Sequence, residues 1–227
     1  MNPIFKDDIY DFFEIFSSEK SIIAASSTKE CVFSERDSRA EFVNRLCGNQ
    51  PAAIPVQLHS ANVKWVEAGA IFDECDGLLT KETNLALTLR TADCVALFLY
   101  FPNIQTIGLI HIGWRGYQRG ILRKSAEILR EAGANFSQGI AALGPSICGE
   151  CYEIQSDVAE LFPGKTSSRD GKIFLDLPNI IEKELIKLGL EKIERSQSCT
   201  YHDRHRYYSY RRDKTDKRMI SVMMRKK

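Results

Sequence analysis

The stretch TADCVALFLYFPNIQTIGLIHIGWRG, residues 91–116, decides the fold. It holds two apolar runs, VALFLYF and IQTIGLIHI, joined by Pro102-Asn103, a turn signal. Their apolar density predicts strands buried on both faces, since a strand covered on one side alternates apolar with polar residues. In an antiparallel hairpin the start of the first strand and the end of the second lie side by side. Cys94 and His111 then converge at one rim, as a nucleophile with its base or as two ligands of a zinc ion. The flank Gly113-Trp114-Arg115-Gly116 leads into a helix. A helix start at Gly116 offers backbone N–H groups to an anion, and Arg115 offers a bidentate contact to phosphate or carboxylate.

Working outward, residues 35–46 read as a helix and 54–101 as mainly extended chain. Residues 116–132 read as an amphipathic helix stopped by Gly133. Short strands at 140–143 and 172–175 flank a helix at 155–162. A further helix spans 178–188, opens on a proline and ends at Gly189. The tail, 207–224, reads as extended. Strands mixed irregularly with helices predict an α+β protein, a single domain of mixed β-sheets flanked by helices over 1–227, because the regular βαβ alternation of a doubly wound sheet is missing.

Composition narrows the function classes. Apolar residues make up 44% and charged residues 27% of the 227, an ordinary globular balance. A net charge of +1 gives no reason to expect nucleic acid or an anionic membrane as partner. The longest apolar run, Val95–Phe101, is too short to span a bilayer. Asp7, Asp8, Asp11 and Glu14 stand where a secretion signal needs a basic end and an apolar run, so the expected location is the cytosol. There the seven cysteines are thiols.

Among the four histidines, His59 (in QLHS) and His111 occupy strand-end contexts, whereas His202 and His205 sit in the charged stretch YHDRHRYY and read as solvated. A His59–Cys94–His111 set leaves the fourth position of a zinc ion open, as in catalytic sites. Cys148 and Cys151 have C-x-x-C spacing, but with no second pair at zinc-site spacing they read as small buried thiols beside a Gly144-Pro145 turn. The deaminase signature of H-x-E with P-C-x-x-C is absent. In the tail, Tyr208, Ser209, Arg211 and Arg212 offer hydroxyl and guanidinium donors to an anionic substrate.

TADC, HIGWRG, GPSI with CYEI, and YYSYRRD, in that order, resemble the YfiH, or laccase-domain (polyphenol oxidase), family. The resemblance is clearest over 54–224. It implies a fold similar to the catalytic domain of cytotoxic necrotizing factor toxins and a zinc site carried onto His59, Cys94 and His111. It also implies purine nucleoside phosphorolysis and adenosine deamination, with links to peptidoglycan precursor editing in some bacterial members. Three places depart from the family pattern: AASSTKECVF stands at 24–33 in place of a glycine-rich arginine motif, QLHS in place of Q-V-H-G, and Thr215-Asp216-Lys217-Arg218 in place of T-G-R.

The expectation is therefore a zinc enzyme acting on purine nucleosides (adenosine, inosine, guanosine, methylthioadenosine) and phosphate, with Arg115, Gly116 and Arg211 contacting substrate. Copper fits less well, because oxygen-reducing copper centres need more ligands than four histidines supply. The alternatives are a metal-free cysteine hydrolase or amidase using Cys94 and His111, and an inactive scaffold.

Overall fold

In the computed structural model, which describes residues 9–31 and 38–227, Val95–Phe101 and Thr106–Ile112 pair as the expected antiparallel hairpin. The register runs from Val95 opposite Ile112 to Phe101 opposite Thr106. A short 3-10 turn at Pro102–Ile104 and a left-handed Gln105 reverse the chain. Every residue of both strands is buried, and alternation sorts them between two cores. Val95, Leu97, Leu99 and Phe101 pack with Ile121, Leu122 and Leu129 of one helix and Ile181 and Leu185 of another. Ala96, Phe98 and Tyr100 face Leu87, Leu89 and Met223 of a second sheet. Burying one such large side chain stabilises the fold by roughly 1.5–3 kcal/mol, so a strand used on both faces contributes twice.

The hairpin lies at the centre of a sheet with strand order Lys192–Arg195, Ile140–Leu143, Val95–Phe101, Thr106–Ile112, Gly77–Thr80 and Val63–Trp65. The facing sheet runs Tyr10–Phe12, Ile22–Ser27, Met219–Arg225, Ala86–Thr91, Ala52–Pro55 and Ala70–Phe72. Helix Arg39–Cys47 covers its outer side, with Phe42 and Val43 against Ile220, Val222 and Met224. The layers are therefore helix, sheet, sheet, helices, the expected α+β arrangement of mixed sheets. A small third sheet joins Glu153–Ile154, Lys172–Leu175 and Thr166–Arg169.

Several boundaries differ from the sequence expectation. The single helix at 116–132 is two, Trp114–Gln118 and Ile121–Glu131. Gly120, at φ 85°, turns the chain between them through a left-handed conformation that only glycine adopts cheaply. The helix expected at 35–46 is Arg39–Cys47, and the expected residues 35–37 lie outside those described. The helix expected at 155–162 shortens to Ser156–Glu160. Leu177–Leu188 begins one residue early because the Asp176 carboxylate caps it, accepting from the Asn179 N–H at 3.1 Å, and it ends at Gly189. The tail is not extended throughout. Ser209 caps a helical turn at Tyr210–Asp213 by accepting from the Arg212 N–H, and the strand begins only at Met219. Among the described residues, no helix is long and apolar enough to cross a membrane.

Candidate metal centre

His59 sits in the crossing between the sheets, after Ala52–Pro55 and before Val63–Trp65. Its φ of 57° is a left-handed conformation uncommon for a residue with a Cβ. What holds it there is Asp76, a fully buried residue just ahead of Gly77–Thr80. The Asp76 carboxylate accepts from the N–H groups of Leu58 (3.1 Å), His59 (3.0 Å) and Ser60 (2.7 Å), and from the Ser60 hydroxyl (2.7 Å). It also accepts from His111 Nδ1 at 2.7 Å. One carboxylate thus fixes the His59 loop and the tautomer of His111, leaving Nε2 of His111 to face a ligand.

The hairpin register does the rest. Cys94 and Gly113 flank the paired strand ends, and a Cβ placed on Gly113 would lie 2.9 Å from Cys94 Sγ and 2.8 Å from His59 Cδ2. Glycine is required at this approach. Cys94 Sγ is 3.8 Å from His59 Nε2, the two imidazoles meet edge to face at 4.9 Å, and ligand atoms of all three residues lie within 4.8 Å of one another.

Without a metal the site pairs a Cys94 thiolate with a His111 imidazolium, and an ion held at His111 Nε2 would displace that proton. Burial pushes the Cys94 thiol up, but His111 and His59 overcome it and hold the thiol at about 6. Burial pulls His111 down, while Cys94 and Asp76 raise it to about 9. Burial raises the Asp76 carboxyl, but the donors from His111 and Ser60 bring it to about 2. A thiolate and two imidazoles, one oriented by a carboxylate, form a donor set suited to zinc, with a three-ligand count that leaves a position open. Asp76 was missed from the sequence. An aspartate directly before the buried run GLLT is its only trace there.

The cluster opens into a cleft of about 1490 Å³. Among the described residues, its walls carry many cationic groups, among them Arg90, Arg115, Arg211 and Lys214, against two carboxylates, Asp93 and Asp216. Trp114, Tyr152, Tyr208 and Tyr210 supply aromatic surface. Arg115 lies over the Trp114 ring at 4.3 Å. Arg211 lies over Tyr152 at 5.1 Å and donates to the Glu153 carbonyl. Gly116 does not start its helix, which begins at Trp114; it is buried, and a Cβ there would be 3.2 Å from the Ser60 carbonyl. Ser209 is buried as a helix cap, and the Arg212 guanidinium is spent on the carbonyls of Thr200, Tyr201 and Tyr207 and on Asp213. Of the four donors expected in that stretch, Tyr208 and Arg211 line the cleft.

A second correction concerns the C-x-x-C pair. Cys148 and Cys151 are only half-buried, and with Cys199 and His202 they form another group whose ligand atoms lie within 4.8 Å of one another. The missing second pair is Cys199-x-x-His202. It lies far along the chain, out of range of local spacing, and a parallel bridge between Ser146 and Cys199 brings it back.

The sequence profile of the multi-copper polyphenol oxidoreductase laccase family matches residues 26–226. The chain belongs to that family. Laccase-family identity covers nearly all of the chain and agrees with the TADC and HIGWRG resemblance. The chain is 32% identical over 181 residues to a purine nucleoside phosphorylase of Aquifex aeolicus, covering 79% of this chain and 85% of that one. It is 33% identical over 177 residues to one of Campylobacter jejuni, covering 74% of each. The fold is similar to that of the hypothetical protein YfiH of Bacillus licheniformis, with a TM-score of 0.87 at 24% identity over 97% of this chain and 98% of that one. YlmD of Geobacillus stearothermophilus is similar too, with a TM-score of 0.85 at 22% identity over 95% and 94%.

Proposed function

We propose that this protein is a zinc-dependent purine nucleoside phosphorylase that also deaminates adenosine. The observation that carries the reading is the His59–Cys94–His111 cluster, braced by Asp76 and set in a cationic, aromatic-walled cleft. Relatives at about a third identity that are named purine nucleoside phosphorylases support the same reading. When bound, zinc supplies Lewis acidity and a source of hydroxide at neutral pH, the requirement of deamination at the purine's C6.

The chain's own groups do the positioning. Arg115 and Arg211 hold phosphate for attack on the ribose anomeric carbon as the glycosidic C–N bond breaks. Trp114 and Tyr152 carry these two guanidiniums and add flat apolar surface for the base. Gly116 contributes through packing, letting the short helix lie against the Ser60 backbone so that Arg115 is presented to the cleft. Copper is disfavoured, because His202 belongs to the other cluster and two imidazoles with one thiolate fall short of a multicopper centre.

The test is direct: protein loaded with zinc is incubated with adenosine, inosine, guanosine or methylthioadenosine, with and without phosphate. Phosphate-dependent ribose 1-phosphate (or its methylthio analogue), and inosine from adenosine, are expected. Their absence from protein with intact metal would refute the reading.

One observation favours a second reading. Asp76, His111 and the Cys94 thiolate also form the order of an acid–base–nucleophile triad. A metal-free cysteine hydrolase of this kind is fully active with no ion at the His59–Cys94–His111 cluster, so activity measured against the metal content of that cluster separates the two.

A further inference from the structure

Two loops meet beside the cleft. Residues 144–152 follow strand Ile140–Leu143, and residues 196–203 follow strand Lys192–Arg195, its parallel neighbour. The parallel bridge at Ser146 and Cys199 continues this pairing into the loops. Each loop then makes a tight turn. The N–H groups of Cys151 and Tyr152 both donate to the Cys148 carbonyl at 3.0 Å, and Asp203 N–H donates to the Cys199 carbonyl at 3.0 Å. Each turn presents a pair of ligand-type residues at the same spacing, Cys148-x-x-Cys151 and Cys199-x-x-His202.

We propose that Cys148, Cys151, Cys199 and His202 form a second metal site, a closed structural zinc centre separate from the cleft. Three sulfurs and an imidazole are a complete tetrahedral set, in contrast to the open three-ligand set at His59. Bond lengths of about 2.3 Å to sulfur and about 2.0 Å to nitrogen place ligand atoms of a tetrahedron about 3.5–3.8 Å apart. Cys151 Sγ lies 3.1 Å from His202 Nε2 and Cys148 Sγ lies 4.0 Å from the other ring nitrogen, Nδ1; only one of the two nitrogens would bind the ion, and with one ligand atom taken from each of the four residues these atoms lie within 4.8 Å of one another. The Cys148 N–H points at Cys199 Sγ, 3.3 Å away, a contact that favours thiolate charge on that sulfur. The three cysteines are thiols, not disulfide partners.

The consequence reaches the cleft through Asp93, the neighbour of Cys94, held at φ 90°. Its carbonyl accepts from Ile147 N–H at 3.0 Å, and its carboxylate accepts from Thr200 Oγ1 and Arg211 N–H, both at 2.7 Å. Tyr152, next to Cys151, forms cleft wall. An ion clamping the two loops therefore fixes Asp93, Tyr152 and the start of the Arg211 turn.

The test does not depend on what the cleft catalyses. The full-length Cys94→Ala protein, in which the cleft centre is broken, is freed of loose metal by gel filtration and assayed for zinc. One equivalent per chain is expected, and exchange into cobalt gives the intense visible bands of a tetrahedral ion with near-ultraviolet thiolate charge transfer. Adding Cys148→Ser and Cys199→Ser removes both signals. A folded Cys94→Ala protein that binds no zinc and shows no thiolate–cobalt band overturns the proposal. So does retention of the signals in the triple variant, or a thiol titration that finds Cys148 and Cys151 joined in a disulfide. Should the triple variant fail to fold, the cobalt spectrum and the sulfur count from X-ray absorption of Cys94→Ala decide alone.

Discussion

The Asp76 carboxylate accepts from three backbone N–H groups, a hydroxyl and an imidazole while wholly removed from solvent. An amide in its place keeps the volume but turns an –NH2 toward donors and gives up the charge. Asp76→Asn is therefore expected to weaken zinc binding by roughly 10–100-fold, read by competition against a chromogenic chelator. Cys94 gives a second expectation. With its thiol lowered to about 6 by the two histidines, Cys94 in metal-stripped protein is mostly thiolate at neutral pH. Alkylation by iodoacetamide at pH 7, followed by mass spectrometry, should be faster at Cys94 than at Cys47 or Cys75, whose burial pushes each to about 11. The rate should fall as pH drops through about 6, because protonation removes the nucleophile. Zinc should protect Cys94.

At the scale of elements, the break between Trp114–Gln118 and Ile121–Glu131 is the most exacting turn near the site. Gly120→Ala forces a Cβ into a left-handed backbone and should cost about 1–2 kcal/mol, measured by urea unfolding. That same glycine marks where sequence reading ran out, since helical periodicity carries through 116–132 and cannot show that one residue reverses its φ. The hairpin was legible because two-sided burial leaves an unbroken apolar run, and Cys94 and His111 followed from its ends. His59 was legible only through its strand-end context and motif. Asp76 and the partnership of Cys148 and Cys151 with Cys199 and His202 were hidden, because both depend on contacts between distant segments. Ser209 and Arg212 looked like substrate donors because a cap and a fully bonded guanidinium have the same composition as a binding surface.

For the whole molecule, a nearly neutral chain concentrates positive charge in one cleft. If phosphate is drawn there, its KM should rise several-fold as sodium chloride increases and the Debye length shrinks from about 8 Å at physiological salt to about 3 Å at 1 M. The KM for inosine, an uncharged ligand, should change little. Steady-state kinetics at three salt concentrations check both. The placement of His59 also bears on the molecule as a whole. Its segment leaves one sheet at Pro55 and joins the other at Val63, and Cys94 lies in the short crossing from Thr91 of the first sheet to Val95 of the second, while His111 rides on the second sheet alone. The ligand triangle thereby acts as a vernier on the alignment of the sandwich, and any sliding of one sheet over the other is written into the spacing of its corners. Thinning the filling far from the ion, as Phe98→Ala would between the sheets, should shorten the residence time of the metal without altering a single ligand.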